Sequence, residues 1–327
     1  MVKFYRKNTK AMKEIQKIRG KAVTGLALCG GGGKGYYQLI ILRELEKRLP
    51  EPLHHYFDYI GGVSTGIISG ACIGSGMVTC SKALEIYAQR GEDIFRKRWW
   101  RKMGLFRPKY KREALDKALK DFLGDMKLGE TKSKMLAVSI KTSDCTEYTV
   151  FKSTKEEHKN MLLRDICGKS ASAPTYFPAD TTNDRIDIDG GLAENNPSMV
   201  VLSEMVRKEK SDSYFVVSIG TGNKAHKLSK KHVLWGAIQW VTRLPNVFLQ
   251  QNSAMTTYYM ETIAESTNVD LVFHRLNGDL INASTDIDDA SPENLKKLSE
   301  DAYRYVLSKD VSEQLDQIAE TLKNIKS

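Results

Sequence analysis

Residues 61–66 are Gly61-Gly62-Val63-Ser64-Thr65-Gly66, in which a serine stands among glycines between a short apolar run and a helix-like segment. Residues 62–66 match the pattern G-x-S-x-G. Glycines beside the serine let the backbone turn sharply from a strand into a helix and leave the serine Oγ exposed at the tip. The pattern predicts a nucleophile at Ser64, with Gly62 and Gly66 supporting the turn. A serine beside glycines is also common in plain turns, so other stretches must support this prediction.

A glycine-rich loop lies upstream of this turn. The run Leu26-Ala27-Leu28-Cys29 predicts a buried strand that leads into Gly30-Gly31-Gly32-Gly33-Lys34-Gly35 at the start of a helix. Amides of successive glycines are not shielded by side chains, and a helix N-terminus adds positive potential. The loop is therefore predicted to stabilise an oxyanion. The expected donors are the amides of Gly31, Gly32 and Gly33, and the expected supporting residues are Gly30, Lys34 and Gly35.

A carboxylate beside glycines lies downstream. Asp189 ends the alternating run Ile186-Asp187-Ile188-Asp189 and is followed by Gly190 and Gly191. Small neighbours let such a carboxylate approach another loop closely, where it can serve as a base. Asp-Gly-Gly is also frequent in turns that have no catalytic role.

Together and in this order, the three motifs resemble the signatures of the patatin-like phospholipase family, a G-G-G-x-[RK]-G loop, a G-x-S-x-G turn and a D-G-[GA] aspartate. The resemblance covers roughly residues 22–310. It continues through four further stretches: Ser172–Pro178, Asn195–Pro197, Gly220–Gly222 and Asp288–Ser291. The resemblance implies a dyad in which Asp189 activates Ser64 directly, without metal or cofactor. It also implies hydrolysis of fatty acyl esters in membrane glycerophospholipids or galactolipids.

The same family includes bacterial antiviral phospholipases that cyclic nucleotides activate. The resemblance therefore implies a cyclic nucleotide as a candidate activator, for which the basic segments described below would be suitable.

Three alternatives remain open. The Ser-Asp-His order of other hydrolases is available, because three histidines follow Asp189: His226, His232 and His274. The glycine loop also satisfies the G-x-G-x-x-G pattern of dinucleotide binding, with Asp58 near the place of a ribose-binding carboxylate. Finally, the chain could be a binding protein that uses the fold without turnover.

The alternation of strand-like and helix-like segments predicts a three-layer α/β sandwich with a mainly parallel central sheet. At 327 residues the chain contains no low-complexity linker, so residues 22–327 are expected to form one domain. Residues 229–265 have a helical pattern rich in aromatic residues, which are expected to pack in the core.

The net charge of +10 is concentrated in two segments. Residues 1–21 carry +7 and predict a basic amphipathic segment, while residues 96–112 carry +9 and also contain Trp99, Trp100 and Tyr110. Tryptophan and tyrosine favour the lipid interface, and cations are attracted to anionic lipids, so a lid that faces lipid is the preferred interpretation of residues 96–112. A solvated loop or a nucleotide site remains an alternative there.

The five cysteines lack metal-type spacing, and Met1–Lys7 does not resemble a secretion signal. The sequence therefore predicts a cytoplasmic protein that associates peripherally with membranes when it acts. Membrane phospholipids are the expected partner, no DNA or RNA partner is expected, and the oligomeric state is not indicated.

Overall fold

A seven-stranded sheet lies at the centre of the fold. The structure, a computed structural model, describes residues 22–95, 107–143, 146–211, 213–224, 236, 244–266 and 269–327. The strands are β1 (Val23–Leu28), β2 (Tyr59–Gly62), β3 (Lys134–Lys141), β4 (Glu147–Lys152), β5 (Asp187–Asp189), β6 (Ser213–Ile219) and β7 (Asp270–Leu276).

The strand order is β4-β3-β2-β1-β6-β7, and β5 also pairs with β3. All pairs from β3 to β7 along this order are parallel, whereas β4 and β5 run antiparallel to β3. The prediction of a mainly parallel sheet is confirmed.

Helices cover both faces of the sheet. They are α1 (Gly35–Glu46), α2 (Leu53–Tyr56), α3 (Thr65–Gly74), α4 (Cys80–Ile94), α5 (Glu113–Leu123), α6 (Glu156–Lys159), α7 (Leu163–Ser170), α8 (Ser198–Lys208), α9 (Leu244–Ser266), α10 (Pro292–Val306) and α11 (Lys309–Lys326). Because side chains alternate along a strand, Leu26 and Leu28 of β1 enter one core, with α1, α3, α10 and α11. Ala27 enters a second core with α8 and with Met260 of α9. The fold is therefore a three-layer α/β sandwich.

The pairing of β3 brings Ser64 and Asp189 together. One edge of β3 is occupied by β4 from Leu136 to Lys141. The other edge is shared, because its first half pairs with β2 and its second half with β5. Gly62 pairs with Ala137 and Asp189 pairs with Ser139, so β5 lies just beyond the end of β2. Asp189 is thereby placed beside the turn that follows β2.

The basic segments lie largely outside the described residues. Residues 1–21 and 96–106 are not among them, so the predicted amphipathic segment and most of the predicted lid have no structural description. At the described end of the lid, Tyr110 is buried and its hydroxyl donates to Asp288 Oδ2 (2.6 Å). Lys109 Nζ also contacts Asp288 Oδ2, at 3.1 Å. Tyr110 therefore packs into the domain and does not face lipid, while the lid proposed for the rest of residues 96–112 stays a prediction.

The aromatic prediction for residues 229–265 needs a correction. Met260 is buried, but Phe248, Tyr258 and Tyr259 are exposed on α9. Trp235 and Trp240 lie outside the described residues. No helix in the described part of the chain is long and apolar enough to cross a membrane.

Candidate active site

Ser64 occupies a strained turn between β2 and α3. Its backbone angles are φ 53° and ψ −127°, which a residue with a side chain adopts at a cost in energy. Glycine takes nearly the same angles at Gly124, with φ 54° and ψ −132°. The Ser64 amide donates to Ser170 Oγ (2.9 Å), and a Cβ at Gly66 would lie 2.1 Å from the Leu28 carbonyl oxygen. The predicted turn is thus present, and its tight path requires glycine at position 66.

We expect Ser64→Gly to be more stable than Ser64→Ala. Both variants lack the hydroxyl, but only alanine retains a Cβ in the strained conformation. Relief of about 1–3 kcal/mol of strain is partly offset by the chain entropy of glycine, about 0.5–1 kcal/mol, which leaves a net gain of about 1 kcal/mol. Urea denaturation of the two variants measures the difference, and equal midpoints would contradict the strain.

The Asp189 carboxyl group lies beside the candidate nucleophile. It is buried, it accepts from the Gly191 amide (2.7 Å), and it is near enough to the Ser64 side chain for that group to lower its pKa. The Asp189 amide donates to the Ser172 carbonyl oxygen (3.0 Å), which holds the strand end in place. Burial raises the pKa of Asp189 to about 6, although the Ser64 side chain and the Gly191 amide oppose the rise. A carboxyl group with this pKa is ionised at neutral pH and still basic enough to take a proton.

Two residues of the glycine loop line the same space as Ser64 and Asp189. The Gly30 amide donates to the Asn195 carbonyl oxygen (3.2 Å) and the Gly33 amide to the Ile287 carbonyl oxygen (2.7 Å). Gly31 and Gly32 line a cavity together with Ser64 and Asp189. Because the Gly33 amide already has an acceptor, Gly31 and Gly32 remain as the candidate oxyanion donors. The supporting residues lie in or beside these turns: Gly30, Lys34, Gly35, Gly62, Gly66 and Gly190.

One hydrogen bond joins the loop to α4. The hydroxyl of Tyr87 donates to the Gly32 carbonyl oxygen and also lies 3.3 Å from Thr65 Oγ1. Burial lowers the pKa of Lys34 to about 8, and the negative charge of Asp286 opposes this effect. Tyr87 thus links the glycine loop to α4 and to the start of α3.

We expect Gly32→Ala to lower turnover by about 10²–10³-fold, the range that follows from losing one oxyanion donor. Gly32 has φ +56°, and a Cβ there would lie 2.1 Å from the Ile287 carbonyl oxygen, so the loop must move. Gly124→Ala is the matched control, since Gly124 has φ +54° but nothing within 4 Å of the added carbon. Turnover of a soluble ester by the two variants measures the difference. Equal turnover would show that Gly32 is not part of the site.

Ser64 and Asp189 line an apolar cavity. It has a volume of about 240 Å³ and is lined largely by apolar side chains of α3, α4 and α5 and of residues 171–177. Ile68, Ile94, Leu119 and Phe122 are among them. Such a lining favours an uncharged chain over a polar group. The cavity also reaches Leu192 and Pro245, which are both exposed, so it opens to the surface beside α9.

His274 and Asp58 lie away from this site. His274 is on β7, which β1 and β6 separate from β2, and burial lowers its pKa to about 4. His226 and His232 lie outside the described residues. Asp58 precedes β2 and accepts from the Thr24 amide (2.9 Å), at the opposite end of the strands from the glycine loop. The structure therefore gives no support to a ribose-binding role for Asp58.

Sequence reasoning missed a buried ionic cluster next to the dyad. The fully buried Lys169 ammonium lies 3.0 Å from Asp180 and 3.2 Å from Asp187. Arg185 pairs with Asp187 (2.9 Å) and Arg112 pairs with Asp180. Buried charges need such partners, because removing one partner leaves another charge uncompensated. The cluster joins α7, whose Ser170 holds the Ser64 amide, to β5, which carries Asp189.

The family model for patatin-like phospholipases matches residues 26–202, which include Ser64, Asp189 and the glycine loop. The chain belongs to the patatin-like phospholipase family. Patatin-like protein 4 of Arabidopsis thaliana is 27% identical, over 86% of this chain and 83% of that protein. Patatin-05 of Solanum tuberosum is 29% identical, over 89% of this chain and 86% of its own length. Another relative, from the same plant and 28% identical, is called probable inactive patatin-3-Kuras 1 and matches 90% of this chain and 88% of its own.

Solved structures show a more distant similarity. Human GIVD cytosolic phospholipase A2 is 10% identical with a TM-score of 0.48, over 96% of this chain and 63% of that chain. VipD from Legionella pneumophila is 12% identical with a TM-score of 0.44, over 93% of this chain and 67% of that chain. The family resemblance predicted from the three motifs is confirmed by the family model.

Proposed function

We propose that this patatin-like protein is a serine lipid acyl hydrolase with Ser64 as nucleophile and Asp189 as general base. The observation that carries the proposal is the placement of Ser64, in its strained turn, beside the buried Asp189 carboxyl group, where both residues line one apolar cavity. A serine hydroxyl is a poor nucleophile until a neighbouring base takes its proton. The apolar lining can pack against a fatty acyl chain. The Gly31 and Gly32 amides can donate hydrogen bonds to the carbonyl oxygen of its ester.

The proposed reaction has two stages. Asp189 takes the Ser64 proton while Ser64 Oγ attacks the acyl carbonyl carbon, and the Gly31 and Gly32 amides stabilise the resulting oxyanion. Asp189 then gives the proton to the departing alcohol oxygen, which leaves the acyl group on Ser64. In the second stage Asp189 takes a proton from water, the water oxygen attacks the acyl carbonyl, and the fatty acid leaves as Ser64 recovers its proton.

The proposed substrates are the acyl esters of membrane glycerophospholipids or galactolipids, reached from the surface of the membrane. Incubation with vesicles that contain both lipid classes, followed by lipid mass spectrometry, tests this directly. Fatty acid and lysolipid should appear with the unsubstituted protein and not with Ser64→Ala. A fluorophosphonate probe should label the same serine. If Ser64 stays unlabelled and all lipids stay intact, the chain is a silent member of the family, as the name of one potato relative suggests for that protein.

We expect kcat/KM for a soluble ester to fall as the pH drops below about 6. The base works only when ionised, and burial places the pKa of Asp189 at about 6, so the rate rises through that pH and levels off above it. Glu194 is a second candidate for this titration, because burial raises its pKa to about 7. Glu194→Gln is therefore the control and should keep the acid limb near 6. If kcat/KM of Glu194→Gln no longer falls at low pH, the titrating group is Glu194 and not Asp189.

We also propose, separately, that a cyclic nucleotide binds and activates this protein. This proposal follows from family membership and from the basic segments. Isothermal calorimetry with cyclic dinucleotides tests it independently of turnover. Saturable heat together with faster lipid hydrolysis would support activation, and an absence of heat would exclude these ligands.

A further inference from the structure

Helix α9 carries its polar and apolar residues on unexpected sides. A surface helix of a globular protein normally buries its apolar stripe and exposes its charged residues. In α9 the buried side includes Met260 but also several polar residues, and the exposed side carries several large apolar residues. The outward residues form what we call the α9 face: Val247, Phe248, Met255, Tyr258 and Tyr259.

The inward side is fixed by hydrogen bonds to the chain that follows Asp189. Asn252 accepts from the Asn195 amide (2.8 Å) and donates to the Ala193 carbonyl oxygen (2.5 Å). Thr256 Oγ1 donates to Glu194 Oε1 (2.8 Å). Through these contacts, the side chains of Asn252 and Thr256 are hydrogen-bonded to the chain that follows Asp189. The orientation of the helix is therefore determined, and the apolar residues on the other side are left outward.

The α9 face is large and uncharged. Phe248 is 59% exposed, Met255 is 54% exposed and Tyr258 is 65% exposed. Residues 244–260 contain no Asp, Glu, Lys, Arg or His. Exposed apolar side chains that form one patch indicate a binding surface, whereas isolated ones do not. Phenylalanine and tyrosine are also the side chains that enter the boundary between lipid headgroups and acyl chains.

The α9 face is continuous with the opening of the cavity. Pro245 and Leu249 of the same helix line that cavity together with Ser64 and Asp189. Leu192, which also lines the cavity three residues after Asp189, is 45% exposed. A ligand that covers the α9 face would therefore also cover the entrance to the proposed active site.

We propose that the α9 face inserts into the interfacial region of a lipid bilayer and so delivers lipid to the cavity. This inference rests on the proposed lipid acyl hydrolase function. The occupant is a lipid surface and not a small ligand, because the face is outward, apolar and adjacent to an acyl-sized apolar cavity. Since the face has no charge, zwitterionic phosphatidylcholine suffices for binding, and screening by salt has little effect.

Vesicle flotation in a Ser64→Ala background tests the surface without turnover. We expect Ser64→Ala to float with phosphatidylcholine vesicles at low and at about 1 M salt, a concentration that screens exposed charges within a few ångströms. Adding Phe248→Asp and Tyr258→Asp should weaken binding by at least about 10-fold, because charge opposes insertion at the interface. The matched control is Leu307→Asp, since Leu307 is 73% exposed at the end of α10 and should have no effect.

Kinetics separate this inference from the function on which it rests. In the active protein, Phe248→Asp with Tyr258→Asp should keep turnover of a soluble monomeric ester, which also shows correct folding, and lose turnover of vesicle lipid. Equal flotation of the double variant and the Leu307→Asp control would overturn the inference. Binding that requires anionic lipid and disappears at high salt would also overturn it, as would conversion of a dimer to a monomer by the two substitutions. If the unsubstituted protein hydrolyses no ester, the proposed function fails. Flotation still shows whether the α9 face binds lipid, because it does not depend on turnover.

Discussion

We expect Ser64→Ala to lower kcat/KM for an acyl ester by about 10⁴-fold or more, the loss that follows when a hydrolase is deprived of its nucleophile. The variant keeps the cavity and the Gly31 and Gly32 amides, so substrate binding should change little. Single-turnover and steady-state rates with a soluble ester measure the loss.

Ser69→Ala is the control for this result. Ser69 is buried on α3 and lines the same cavity, but it is not in the turn. We expect its rate to stay within about 10-fold of the parent, because no step of the proposed reaction uses it. A Ser64→Ala variant that retained the parent rate, with Ser69→Ala impaired, would remove Ser64 from the mechanism. The double variant Ser64→Ala with Asp189→Asn should be no slower than Ser64→Ala, since Asp189 acts on catalysis through Ser64.

Asp189→Asn is expected to abolish turnover and at the same time to stabilise the protein at pH 8. The amide cannot take the Ser64 proton, so we expect a loss of about 10⁴-fold, as for other variants that disable a hydrolase base. The amide oxygen can still accept from the Gly191 amide, and the local structure should persist.

The stability gain follows from the raised pKa. Burial raises the pKa of Asp189 from 3.8 to about 6, so the folded state holds the proton more tightly than the unfolded state does. The free energy of unfolding therefore falls as the pH rises from about 4 to about 6, by about 3 kcal/mol at most, and stays lower above that range. Asp189→Asn lacks this charge and should lose little stability across the same range.

Denaturation at pH 4 and at pH 8 measures this effect in both proteins. Asp316→Asn is the control, because Asp316 is exposed and pairs with Arg48 at the surface. We expect it to stay within about 0.5 kcal/mol of the parent at both pH values. A variant Asp189→Asn that is less stable than the parent at pH 8 would show that the ionised carboxylate is well solvated or better paired than its burial indicates.

Local glycine signatures predicted the tight turn at Ser64 and the close approach of the chain at Asp189 from the sequence. Gly62, Gly66 and Gly190 are needed because the backbone turns or approaches another strand closely at these positions, and this requirement is visible in neighbouring residues. The alternation of helices and strands also predicted the sheet correctly, since buried parallel strands are short apolar runs.

Features that depend on distant residues could not be predicted in this way. The Gly33 amide is occupied by the carbonyl oxygen of Ile287, which lies far away in the sequence. The buried Lys169 depends on Asp180 and Asp187, whose side chains have no local pattern that marks them as its partners. The aromatic residues of α9 have helical spacing, but the burial of Met260 and the hydrogen bonds of Asn252 and Thr256 determine which side faces the protein. The expectation that Phe248 and Tyr258 pack in the core was wrong for this reason.

The pairing of both β2 and β5 with one edge of β3 has a consequence for how this protein can vary. The backbone of β3 sets the spacing between Ser64 and Asp189, because Gly62 pairs with Ala137 and Asp189 pairs with Ser139. Parts of the connections from β2 to β3 and from β4 to β5 that do not contact the turn can therefore differ in length without changing this spacing. Helix α7 is the exception, because its Ser170 accepts from the Ser64 amide.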